Sequence, residues 1–176
     1  ESIFPVMESF IFQISGTGWE EEIRKMKACG MDILATYVFW IHHEEEEGVF
    51  DFSGQRNLRH FLELCDKWDM HVWLRIGPWA HGEAEMGISG LAAEKGNELR
   101  ADDPDYLKLV ERFWKKIYKE GEGTHCILGI QIENEYGHVG GLRGTDGEQH
   151  MRTLKKMAEE IGFAAPYWTA TGWGGA

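Results

Sequence analysis

The run Glu133-Asn134-Glu135-Tyr136 sets two carboxylates two residues apart with a side-chain amide between them. On an extended strand, residues two apart share a face. Gln131, Glu133 and Glu135 would then project to one side, and Ile130 and Ile132 to the other. Two carboxylates held that close repel when both are ionised, which raises the pKa of one of them. A carboxyl that keeps its proton near neutrality is what general-acid chemistry requires. Spacing alone does not say which carboxyl is the acid; Glu133 reads more simply as an interior structural group paired with Arg75. Other polar and aromatic residues stand just after apolar runs: Tyr37, Trp40, His43 and Glu44; then Arg75, Trp79, His81 and Glu83; and finally Trp173. Hydroxyl groups need paired donors and acceptors, and the apolar face of a pyranose stacks on indole. These residue types suit a polyol.

The elements that must position them follow from the patterning. Short apolar runs alternate with helical periodicity, as in βα units built around a parallel sheet. Strands are expected in 3–14, around Val6, Phe10 and Phe12, and over 32–40, 70–76, 126–135 and 167–171. Helices are expected over 19–29, 57–68, 103–121 and from about 145 to 162. Trp19, Ile23 and Met26 recur at helical spacing behind the acidic Glu20, Glu21 and Glu22, and Gly30 supplies a left-handed cap. Asp103-Pro104 is an N-cap followed by proline at the first helical position. Thr145 and Glu148 have the spacing of a capping box. Every chemically interesting residue then lies at the C-terminal end of a strand, where a (β/α)₈ barrel builds its active site, and the long loop 77–102 suits that use. The fold class expected is α/β, a truncated TIM barrel comprising strands 1 to 5 with intervening helices. No G-x-G-x-x-G or P-loop follows any strand.

Bulk properties narrow the function. A chain of 176 residues with 43% hydrophobic content has the length of one domain. A net charge of -12 opposes binding to nucleic-acid phosphates. No apolar run reaches the roughly 18 residues of a bilayer span. Cys29, Cys65 and Cys126 are odd in number and form no C-x-x-C, so neither a disulfide framework nor a zinc site is indicated. Residue 1 is Glu, with no charged-then-apolar leader before the first strand, and localisation stays open.

Three blocks carry a family resemblance. They are Tyr37-Val38-Phe39-Trp40-Ile41-His42-His43-Glu44 with Gly48-Val49-Phe50-Asp51-Phe52-Ser53-Gly54; Arg75-Ile76-Gly77-Pro78-Trp79-Ala80-His81-Gly82-Glu83; and Gly129-Ile130-Gln131-Ile132-Glu133-Asn134-Glu135-Tyr136-Gly137. In this order they resemble the signature of family-35 glycoside hydrolases, the β-galactosidase family, over essentially the whole chain. The resemblance implies a retaining β-galactosidase with a TIM-barrel catalytic domain, no required metal or cofactor, and a β-galactoside oligosaccharide or glycoconjugate as substrate. It places the proton donor on Glu135 and the sugar-hydroxyl ligands on Tyr37, Glu83 and Asn134, with the backbone near His81 and Gly82 lining the pocket. Asn134 would hold the 2-hydroxyl, a contact that strengthens in an oxocarbenium-like transition state.

The chain also departs from the family. Ile41 stands where Asn is common, and Trp79-Ala80-His81-Gly82-Glu83 replaces Tyr-x-Cys-Ala-Glu. A first-strand His and Arg are replaced by Ile11 and by Gln13 or Ile14, and Met86-Gly87-Ile88-Ser89-Gly90 stands in place of Gly-Gly-x-Pro. The family's nucleophile, a Glu near the end of the seventh strand, has no counterpart among residues 1–176. Retaining hydrolysis needs two carboxylates roughly 5 to 5.5 Å apart. The expectation is a partial catalytic barrel domain over 1–176, inactive in isolation, with the C-terminal strands and nucleophile missing and the first and fifth strand edges unpaired. Two rival readings are weighed. One is a metal-dependent barrel using His42, His43, Glu44, His81 and His138, although Glu44 to Glu47 reads more simply as a solvated acidic loop. The other is a carbohydrate-binding remnant that has lost catalysis; alongside these stands a retaining glycosidase of the same clan acting on another β-glycoside.

Overall fold

The computed structural model describes residues 6–8, 16–80, 98–137 and 141–170. Strands and helices alternate as β1 (Val6–Glu8), α1 (Trp19–Ala28), β2 (Ile33–Tyr37), the single turn α2 (Trp40–His43), α3 (Leu58–Lys67) and β3 (His71–Gly77), then α4 (Pro104–Gly121), β4 (Ile127–Ile132), α5 (Gly144–Ile161) and β5 (Tyr167–Trp168). The five strands pair in parallel in their sequence order, β1-β2-β3-β4-β5. A doubly wound sheet reverses its strand order partway across; this one does not. The arrangement is that of part of a TIM barrel.

Local chemistry explains most of the boundaries. Three acidic residues occupy the first turn of α1, and Gly30, at φ 81°, takes the left-handed conformation just past its end. Asn57 caps α3, its side chain accepting from His60 N at 2.9 Å. Asp103 caps α4, Oδ1 accepting from Asp105 N at 2.9 Å and Tyr106 N at 3.0 Å. Several boundaries differ from the sequence expectation, among them β5, which ends at Trp168. β2 ends at Tyr37, because the chain turns into α2 at Trp40. α5 begins at Gly144 with Arg143 as N-cap and no side-chain cap bond, so Thr145 lies inside the first turn and forms no capping box. β4 stops at Ile132, because Glu133 takes φ 60° and Glu135 φ 48°. The two-residue alternation used to place Glu133 and Glu135 on one face therefore ends before either of them.

The sheet has two chemically different faces. Val72, Leu74 and Ile76 of β3 and Ile130 and Ile132 of β4 are buried in one core with Phe61, Leu62, Val110, Phe113 and Trp114 from the helices. Fully burying such a side chain stabilises by about 1.5–3 kcal/mol. The other face carries the barrel interior. Ala35, Trp73 and Gly129 occupy one rung, and Tyr37, Arg75, Gln131 and Trp168 the next toward the strands' C-terminal ends. The Trp73 and Trp168 rings lie 4.9 Å apart between centroids. A Cβ on Gly129 would come within 3.1 Å of Trp168 Nε1, so a residue without a side chain lets the indole lie down there.

Candidate active site

The upper rung of the interior face begins the site. The Arg75 guanidinium lies 3.6 Å from the centroid of the buried Tyr37 ring, which stacks on Phe39 at 5.2 Å. Arg75 Nη2 then donates to Asn134 Oδ1 at 2.8 Å. Gln131, beside Arg75 in register, donates from Nε2 to the same Oδ1 at 3.2 Å and to the Glu133 carbonyl at 2.9 Å. Tyr37 and Asn134, nearly a hundred residues apart in sequence, are thus joined through one arginine.

Beyond Ile132 the chain makes a tight irregular turn. Glu133 N donates to Gly77 O at 2.8 Å, tying this turn to the end of β3. Left-handed backbone at two glutamates costs about 1–3 kcal/mol each and persists only where surrounding contacts impose it. Arg100, itself at φ 58°, supplies them. Its Nε and Nη2 reach Glu133 Oε2 at 3.0 and 2.5 Å, and Nη2 also reaches Asn134 O at 2.8 Å. The partner of Glu133 is therefore Arg100 and not Arg75, which is engaged with Tyr37 and Asn134. The Arg100 guanidinium lies 4.6 Å from the Trp79 ring centroid and 5.1 Å from that of Tyr136. Burial pushes the Glu133 carboxyl up to about 7, outweighing Arg100 and the Asn134 N–H, which pull it down. Repulsion between neighbouring carboxylates is not the cause. Glu133 Oε1 is buried with no hydrogen-bond partner among the described residues.

A further layer holds Arg100. Tyr136 Oη donates to Arg100 O at 2.9 Å and accepts from Leu142 N at 3.1 Å. The Tyr136 ring stacks on buried His150 at 5.5 Å, and His150 Nδ1 lies 2.6 Å from Asp102 Oδ1. Burial lowers the His150 pKa, and Asp102 partly restores it. Sequence reasoning missed Arg100, Asp102 and His150. The short Leu99-Arg100-Ala101-Asp102 segment, with two charged residues ahead of a helix cap, looks solvated, and only its nearness to the Asp103-Pro104 start could have drawn notice.

Other candidates fall differently. Glu135 is half-buried on the same turn, directly after Asn134. His81, Gly82, Glu83, His138 and Trp173 lie outside the described residues. Trp40 is core, stacked on Phe113 at 5.1 Å. His43 is buried against Phe52 with Nδ1 bonded to Asp51 O at 2.9 Å, and burial lowers its pKa to about 4. Glu44 is no solvated rim carboxylate: it is buried, accepting from Trp40 Nε1 and Gly48 N at 2.7 Å each and pairing with Arg112. Among the described residues no cluster of His, Cys, Asp and Glu is arranged to hold a metal ion, and no helix is long and apolar enough to cross a membrane.

The sequence profile of glycosyl hydrolases family 35 matches residues 9–173. The chain belongs to that family. This family-35 chain is 36% identical over 156 residues to beta-galactosidase 17 of Arabidopsis thaliana, covering 84% of itself and 22% of that protein. It is 36% identical over 135 residues to the beta-galactosidase of Mus musculus, covering 72% of itself and 21% of that protein. The chain therefore spans about a fifth of the length of the curated relatives it matches. In fold it is similar to a GH5_18 protein from Streptomyces cattleya crystallised with GlcNAc, with a TM-score of 0.76, 11% identity, and coverage of 97% of this chain and 45% of that one. A beta-galactosidase from the haloarchaeon Halorubrum lacusprofundi gives 0.60 at 18% identity, covering 77% of this chain and 22% of that one. At these identities the likeness is one of fold alone.

Proposed function

We propose that this family-35 chain forms the first five strands of the catalytic barrel of a retaining β-galactosidase that releases terminal β-D-galactosyl residues. Glu135 is the general acid/base, donating a proton to the leaving-group oxygen and later taking one from water. Tyr37, Glu83 and Asn134 hold sugar hydroxyls, with the backbone at His81 and Gly82 lining the pocket. The nucleophilic carboxylate comes from outside residues 1–176, and no metal or cofactor takes part. One observation carries this reading: Asn134, the residue before Glu135, is held by Arg75 and Gln131 at the C-terminal mouth of the sheet, and the same Arg75 holds Tyr37. Barrel enzymes place their chemistry at that mouth. The relatives' names supply the sugar.

Glu135→Gln in the protein carrying this chain tests the reading. Losing general acid/base chemistry should lower kcat by about 10²–10⁴-fold, with galactoside binding, followed by calorimetry, largely kept. An unchanged kcat would remove Glu135 from the role.

A further inference from the structure

We infer that Arg75 and Gln131 lock the Asn134 amide so that this side chain meets its ligand only as a hydrogen-bond donor. The inference rests on the glycosidase reading for the identity of the ligand, but the lock follows from the contacts. A guanidinium carries N–H groups and no acceptor, so only the oxygen of the Asn134 amide can face Arg75 Nη2, which lies 2.8 Å away. The orientation of Gln131 is settled in the same way. Its Nε2 meets the Glu133 carbonyl oxygen at 2.9 Å, and a carbonyl can only accept; the same nitrogen then reaches Asn134 Oδ1 at 3.2 Å. An amide oxygen offers two lone pairs, and two donors occupy them here.

Three consequences follow. Turning the Asn134 amide over would set NH₂ against both a guanidinium and an amide N–H. Asn134 therefore cannot accept a proton from a sugar hydroxyl, and it recognises an oxygen that accepts from Nδ2. Arg75 and Gln131 are positioning residues that set the polarity of a contact without making it. The turn itself is held by Arg100 on the Asn134 carbonyl at 2.8 Å. Gln131 also touches the turn, through the Glu133 carbonyl at 2.9 Å, so the comparison of two substrates is what separates a lost amide orientation from a displaced turn.

The experiment compares kcat/KM for nitrophenyl β-galactoside and its 2-deoxy analogue in the wild-type protein, Asn134→Asp and Gln131→Met. Aspartate keeps the shape and the Arg75 contact, accepts as well as asparagine does, and cannot donate. Asn134→Asp is expected to lose about 100-fold or more on the galactoside and much less on the 2-deoxy substrate. Gln131→Met should shift the same ratio by about tenfold. Retention of the galactoside rate in Asn134→Asp, or equal losses on both substrates in Gln131→Met, overturns the proposal. A through-hydrogen-bond scalar coupling between Gln131 Nε2 and Asn134 Cγ in labelled wild-type protein needs neither a variant nor turnover. Its presence upholds the lock and its absence overturns it. If the wild-type protein hydrolyses neither substrate, the galactosidase reading fails by itself, and this coupling decides the lock.

Discussion

Glu133 is a buried carboxyl with one oxygen on Arg100 and the other without a partner among the described residues, and its raised pKa has a measurable consequence for stability. Its folded pKa of about 7 lies above the ordinary 4.5, so between these values the folded state holds a proton that the unfolded chain has released. Stability from this group is complete below the lower value and declines as pH rises to the upper one. His43 acts oppositely: with its pKa lowered from 6.5 to about 4, its contribution is complete above 6.5 and fades on acidification. The difference between wild type and Glu133→Gln isolates the first effect. The variant should gain on wild type by roughly 2–3 kcal/mol between pH 4.5 and 8 in denaturant unfolding. A pH-independent difference would show that Arg100 keeps Glu133 ionised throughout. Removing the guanidinium by Arg100→Met, measured the same way, should cost about 3–5 kcal/mol at pH 8, where Glu133 is ionised, and less at pH 5, where it holds a proton. Tyr37, Asn134 and Glu135 stand out in the sequence as candidates by residue type and position after apolar runs, and the structure joins the first two through Arg75. The Glu133–Arg100 pair was not legible there, because two residues 33 apart become partners only once β4 and the segment before α4 meet.

At the scale of elements, helices were more legible than strand ends. The Asp103-Pro104 start of α4 has local chemistry that needs no neighbours, and the structure makes both capping bonds. Asp103→Ala should lower thermal stability by about 1 kcal/mol. The end of β4 was misread because left-handed glutamates are imposed by Gly77 and Arg100, contacts invisible to periodicity. The capping box failed for a smaller reason: the N-cap falls on Arg143, two residues before Thr145, so Thr145 has no cap position to fill. Gly129 shows the opposite case, a strand glycine whose meaning lies across the sheet. Gly129→Ala drives a methyl to 3.1 Å from the Trp168 indole. The expected cost is about 1–3 kcal/mol, with a shift in Trp168 fluorescence as the indole is displaced.

For the whole molecule, alternating strands and helices announced a parallel sheet, while the choice between a barrel arc and a doubly wound sheet lay in strand order alone. That order places the ends of β2, β3 and β4 side by side, and it is why Tyr37, Arg75, Gln131 and Asn134 form one network. In the proposed mechanism, glycosidic cleavage depends on Glu135 giving a proton to a departing oxygen. The most direct measurement is kcat/KM of Glu135→Gln against wild type on β-galactosides whose leaving groups run from dinitrophenol to a simple alcohol. Dinitrophenolate departs without a proton, so its rate should fall by less than about tenfold, while the alkyl galactoside should lose about 10²–10⁴-fold. An equal loss across the series would contradict general-acid chemistry at Glu135.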